Sequence, residues 1–275
     1  MRFCEISPLT YRLAVEKNIV QRRLKDVLSS VRFAKQVEET PLPVCVYRHN
    51  SLIRRTLGQV DKRLQDNKAV SLGLAAPLVN GILIRPGETF SFWNRVGRCT
   101  AKRGFLPGMV LHDGKPQEGI GGGMCQFTNL IHWMALHSDL TVAERHHHDG
   151  YDLFPDFGRQ VPFGVGTSIL YNYLDYRLYN GTEDTFQLLV ESDGDYLRGQ
   201  LRCTRVPEYV WHITCEEEYF SREADGWYRS NTVYRQKVNR RTGNMEEKSL
   251  LQQAHARVMY DEAYIDKEKI RSVAE

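Results

Sequence analysis

The sequence predicts an α+β fold: a central buried helix after a Gly-rich loop, packed on a mainly antiparallel sheet, with a helical N-terminal extension and a β-rich C-terminal part. Three observations predict it. Residues 127–136 carry Phe127, Leu130, Ile131, Trp133, Met134 and Leu136, apolar on nearly every side, as a fully buried helix requires. Three consecutive glycines, Gly121, Gly122 and Gly123, stand directly before it. From residue 186 onward, strand-like runs alternate with turn pairs such as Asp193-Gly194 and Asp225-Gly226.

Taken in order, residues 11–35 place Leu13, Val20, Leu24, Val27, Leu28 and Val31 at helical spacing among Arg22, Arg23, Lys25, Arg32 and Lys35. This is a basic amphipathic helix, read first as an extension docked on the core and second as a helix lying on a membrane surface. Thr40, Pro41, Leu42 and Pro43 end it. A second helix covers residues 60–79, broken into two pieces by Gly73 and Pro77 and stopped by Asn80-Gly81. Residues 81–92 give two extended arms around Pro86-Gly87, and residues 109–112 a short strand. After the central helix come strands over residues 140–145, 168–179, 186–191, 196–205, 209–215 and 232–238. The resulting organisation is a basic helical extension at 1–65, a core with the candidate site at 66–206, and a β-rich extension at 207–275.

Of the 275 residues, 41% are hydrophobic and 26% charged, which excludes an intrinsically disordered chain. A net charge of +3 excludes a nucleic-acid-coating protein, and no nucleic-acid partner is expected. No apolar run of secretory-signal length opens the sequence, so a cytoplasmic location is expected, with the N-terminal helix offering peripheral contact to a membrane. The six cysteines form no C-x-x-C pair and are expected as free thiols.

The chemistry-bearing segment is Gly119 to Gln126. Ordering three successive glycines costs about 1 kcal/mol each, so a close backbone approach must require them. Cys125 would sit where a helix presents unpaired N–H groups, which pushes a thiol toward thiolate. The candidate base is His148, from the run Arg145, His146, His147, His148, Asp149. Alternation in a strand puts His146 and His148 on one side and Arg145 and His147 on the other. Arg145, Gly121, Gly122, Gly123, Gln126 and Asp175 are the candidate substrate-binding residues. Against this stand blander readings: Cys125 as an inert packed thiol and the histidines as a surface cluster. A metal set of His146 and His148 with Asp149, Asp152 or Cys125 is less favoured, and no metal or cofactor is expected. The glycines make no dinucleotide fingerprint, and no phosphate-loop lysine follows them.

Pro86-Gly87-Glu88-Thr89-Phe90-Ser91-Phe92, Gly97, Arg103-Gly104-Phe105, the Gly121–Gln126 run, Glu144-Arg145 with His148, and Asp175 with Asn180 together resemble the VanW family over about residues 67–180. The resemblance implies a setting of glycopeptide resistance or cell-wall metabolism; the family has no settled activity. Many relatives carry an aspartate where this chain has Gly164-Val165-Gly166-Thr167-Ser168, so Asp149 or Asp175 would have to orient the histidine here. Two functions fit: a cysteine-dependent hydrolase or acyltransferase acting on a peptide or amide of a wall precursor, and an accessory protein that binds a peptide-like ligand or a partner without turning it over.

Overall fold

The computed structural model describes residues 6–54, 61–112, 115–147, 150–156, 158–171 and 173–271. It begins with α1 (Pro8–Leu28), β1 (Arg32–Phe33), β2 (Val44–Leu52), α2 (Lys62–Val79), β3 (Ile82–Ile84), β4 (Glu88–Ser91) and α3 (Phe92–Val96). The centre holds β5 (Pro107–His112), β6 (Lys115–Ile120), α4 (Met124–Leu136), β7 (Thr141–Glu144), β8 (Tyr151–Asp152) and β9 (Arg177–Tyr179). The remainder is β10 (Phe186–Ser192), β11 (Tyr196–Cys203), β12 (Tyr209–Glu223), β13 (Gly226–Asn239), β14 (Met245–Val258) and β15 (Ile270–Arg271).

The fold is α+β. Two four-stranded sheets, ordered β1-β4-β9-β7 and β2-β11-β10-β3, share one apolar core with α2, α3 and α4. Phe127, Ile131 and Met134 of α4 are fully buried there, and burying each such side chain is worth roughly 1.5–3 kcal/mol. A five-stranded sheet, β15-β12-β13-β14-β8, makes the C-terminal part. It joins the core where Val233 packs with Trp133, Leu136 and Val165. Arg235 completes the joint, its Nε donating 2.9 Å to the Leu136 carbonyl at the end of α4, where the helix dipole favours a cation.

Several expectations change. The sequence offered no strand between residues 43 and 60, yet Val44–Leu52 pairs along almost all of β11. The expected break in α2 is absent: Pro77 lies in the last turn, and the helix continues past Gly73 to the Asn80 cap. Residues 168–179 are not one strand. Leu170 and Leu174 close a tight loop on each other, and only Arg177–Tyr179 forms a strand. That loop is fixed by side chains rather than by a ladder, since the Tyr173 hydroxyl accepts from Asn18 and the Tyr171 hydroxyl from Arg23 of α1. The polar Lys115–Ile120 segment, to which the sequence assigned no element, pairs with β5 as a two-stranded ribbon.

Candidate functional site

The glycine run is where the chain turns from β6 into α4, and its freedom is spent on close packing. A Cβ on Gly122 would lie 2.2 Å from the carbonyl carbon of Gly108. Gly121, at φ +75°, would place one 2.5 Å from Cys99 Cβ, and Gly123, at φ +91°, 2.4 Å from Lys68 Cγ. The space over these glycines is thus occupied by β5, Cys99 and the Lys68 stem.

Cys125 is the second residue of α4 and is half-buried. In the segment 167–169, the Ile169 amide is directed at its sulfur. That segment is held by α4 itself: Thr128 and Thr167 hydroxyls bond at 2.6 Å, and the Thr167 amide and hydroxyl donate to Asn129 Oδ1 at 2.6 and 2.9 Å. Burial pushes the Cys125 thiol up, although the backbone amides of Ile169 and of Cys125 itself favour its thiolate. The expected thiolate is therefore not the resting form, because removal from water outweighs the helix-terminal donors. The amides of Gly123 and Met124 have no acceptor among the described residues, whereas that of Gln126 donates 3.0 Å to the Gly123 carbonyl.

Residues 146 and 147 of the histidine run lie beside the same segment. The Ser168 amide donates 2.7 Å to the His146 carbonyl, which brings residues 146–147 alongside residues 167–169. His146 Nε2 is 3.0 Å from Glu144 Oε1. His147 is near enough to His132 to disfavour its protonation; β7 ends at Glu144, so residues 145–147 do not continue the expected strand. His148 and Asp149 lie outside the described residues.

The family model described as VanW like protein matches residues 67–202. The Vancomycin B-type resistance protein VanW of Enterococcus faecalis is 31% identical over 228 residues, covering 83% of this chain and 82% of that protein. The chain belongs to the VanW family. The uncharacterized protein YoaR of Bacillus subtilis is 26% identical over 117 residues, 42% of this chain and 36% of its own. No solved structure matches significantly.

Within the VanW-family segment, most polar motif residues bond to other parts of the protein. Asp175 accepts from Ser91 Oγ at 2.5 Å, the Trp93 amide at 3.0 Å, the Tyr176 amide at 2.8 Å and Arg177 Nε at 2.8 Å. Asn180 donates to the Ile84 and Asp184 carbonyls, both at 2.7 Å. Gln126 donates to Ser51 Oγ and the Leu52 carbonyl at 2.8 and 2.9 Å, tying α4 to β2. Arg145 donates to the carbonyls of Gly164 at 2.8 Å and Gly166 at 3.1 Å, so it braces the chain that leads into residues 167–169.

Three features escaped the sequence reading. Glu144, rather than Asp175, is the acid beside an imidazole in the described site. Burial opposes its ionisation, but Arg22, His146 and the Asp175 amide prevail and hold its carboxyl at about 2. His132 is buried, with Nδ1 3.0 Å from the Tyr176 hydroxyl and Nε2 without a partner. Burial, Arg145, Arg235 and His147 hold it neutral. Cys125, Thr128, Asn129 and His132 form the third feature, a polar stripe at i, i+3, i+4 and i+7 on a helix apolar elsewhere save Gln126, a signal the sequence did contain.

Proposed function

We propose that this VanW-family protein is a cysteine-dependent acyl-transfer enzyme, a hydrolase or acyltransferase, acting on a peptide or amide of a cell-wall precursor. The setting is the glycopeptide resistance for which its Enterococcus faecalis relative is named. The observation that carries this reading is the position of Cys125 in the first turn of a buried helix, with the Ile169 amide directed at its sulfur and the Gly123 and Met124 amides without acceptors among the described residues.

In the proposed reaction the Cys125 sulfur attacks the carbonyl carbon while a histidine base, nominated as His148, takes the thiol proton. The oxyanion collapses, the C–N bond breaks, and the same imidazole returns that proton to the leaving amine. Water or an acceptor amine then attacks the thioester and restores the thiol. A protonated resting thiol makes this general-base catalysis on a neutral sulfur rather than a standing ion pair.

The second reading, a non-catalytic accessory protein that binds a peptide-like ligand or a partner, is favoured by the many motif residues that bond to backbone. Turnover of a wall stem peptide by Cys125→Ala and His148→Ala separates the two. The enzyme reading expects both to lose turnover to a similar residual level, as members of one catalytic unit do. Full turnover by Cys125→Ala would overturn it.

A further inference from the structure

The N-terminal helix docks in an inverted sense. Its polar side faces the protein: the Asp26 carboxylate accepts from Arg177 at 2.9 and 2.7 Å, Arg22 donates to Glu144 at 3.1 Å, and Glu16 accepts from Arg98 at 2.7 Å. Asn18 and Arg23 reach the hydroxyls of Tyr173 and Tyr171. Ile19 is the buried residue of the helix. The opposite side carries Leu9, Leu13, Val20, Leu24 and Val27 within an arc of roughly 60°, with Leu28 at its edge. These side chains are 53–84% exposed, Val27 at 80% and Leu28 at 84%.

An apolar stripe of this size facing solvent marks a surface that something covers. The charge around it says what. Residues 6–35 hold seven Lys or Arg against two Asp or Glu, and both acids are paired with arginines of the core. Arg12, Lys17 and Lys25 form no ion pair among the described residues, and Arg32 and Lys35 are exposed just beyond the helix. A second copy stacked on the stripe would set two such cationic helices against each other. An anionic lipid surface matches both features: the leucines and valines enter the acyl boundary while the cations remain among the headgroups.

We propose that α1 seats the protein on the surface of anionic phospholipid bilayers, with Leu9, Leu13, Val20, Leu24, Val27 and Leu28 inserted and Arg12, Lys17 and Lys25 at the headgroups. No helix of the described residues is long and apolar enough to cross a membrane, so this contact is peripheral.

The test is sedimentation of the full chain with vesicles of phosphatidylglycerol and phosphatidylcholine, and with vesicles of phosphatidylcholine alone. Wild type should pellet with the anionic vesicles, remain in solution with the neutral ones, and release as salt is raised. The triple variant Leu24→Ser, Val27→Ser, Leu28→Ser should partition roughly tenfold less or weaker, and Lys17→Glu with Lys25→Glu should abolish binding. The altered side chains are exposed, so an unchanged thermal melt verifies folding. Equal binding to both vesicle types, or wild-type binding by the triple variant, would overturn the proposal. So would failure to bind anionic vesicles together with a dimer, seen in sedimentation velocity, that the triple variant loses.

Discussion

Gly122 and Gly108 meet backbone to backbone: a Cβ on Gly122 would stand 2.2 Å from the Gly108 carbonyl carbon, and one on Gly108 would stand 2.6 Å from the Gly122 carbonyl oxygen. Neither backbone has a flexible end that could give way. Gly122→Ala should therefore destabilise the fold by about 3 kcal/mol, read as a lower denaturation midpoint. Gly87→Ala, where φ is +74° but nothing lies within 4 Å, should incur the backbone strain alone and cost less.

Arg145 should act as a brace. Removing it strips charged donors from the Gly164 and Gly166 carbonyls. Arg145→Ala should cost about 3 kcal/mol and should also speed iodoacetamide labelling of Cys125, because the chain leading to the Ile169 amide at the sulfur loses its anchor. In wild type, Cys125 labelling should show no reactive phase at low pH and should rise only above the ordinary thiol value of 9.0. Labelling that is equally fast in wild type and Arg145→Ala would refute the bracing role.

Acid should unfold the protein in a way traceable to Glu144. Its carboxyl falls from 4.5 to about 2 in the folded state. The stabilisation is thus fully present above pH 4.5 and lost as pH drops toward 2, on the order of 2–3 kcal/mol in total. Glu144→Gln should be less stable than wild type at pH 6, and the two should converge near pH 2 in thermal melts. A constant difference across that range would exclude Glu144 as the titrating group.

His137 should add an earlier acid step. Burial lowers its pKa to about 4 against the donation it makes to the Trp133 carbonyl. The unfolded chain therefore takes up the proton first, and stability declines as pH falls from 6.5 toward 4. His137→Gln, which can keep the donation, should flatten that decline in melts recorded across the same range.

How much of this was legible in the sequence depended on which signal each residue carried. The α4 segment was readable because Phe127, Leu130, Ile131, Trp133, Met134 and Leu136 make it apolar on most sides, and the hairpins because Asp193-Gly194 and Asp225-Gly226 mark their turns. Val44–Leu52 was not readable: Arg48, His49 and Asn50 interrupt the apolar pattern, and the strand is stabilised by its ladder with β11. The glycine run announced a close approach, but nothing local could say that Gly108, fourteen residues earlier, was the neighbour. Burial was the missing quantity at Cys125, since helix position alone argued for thiolate and removal from water reverses the direction.

The most direct test of the account is the intact mass of the full-length protein during incubation with a wall stem peptide, followed by mapping of the modified residue. The account predicts a mass increase equal to the acyl fragment of the peptide, on Cys125 and absent from Cys125→Ala. Cleavage or exchange of the peptide with no adduct at any time, proceeding equally in Cys125→Ala, would contradict it.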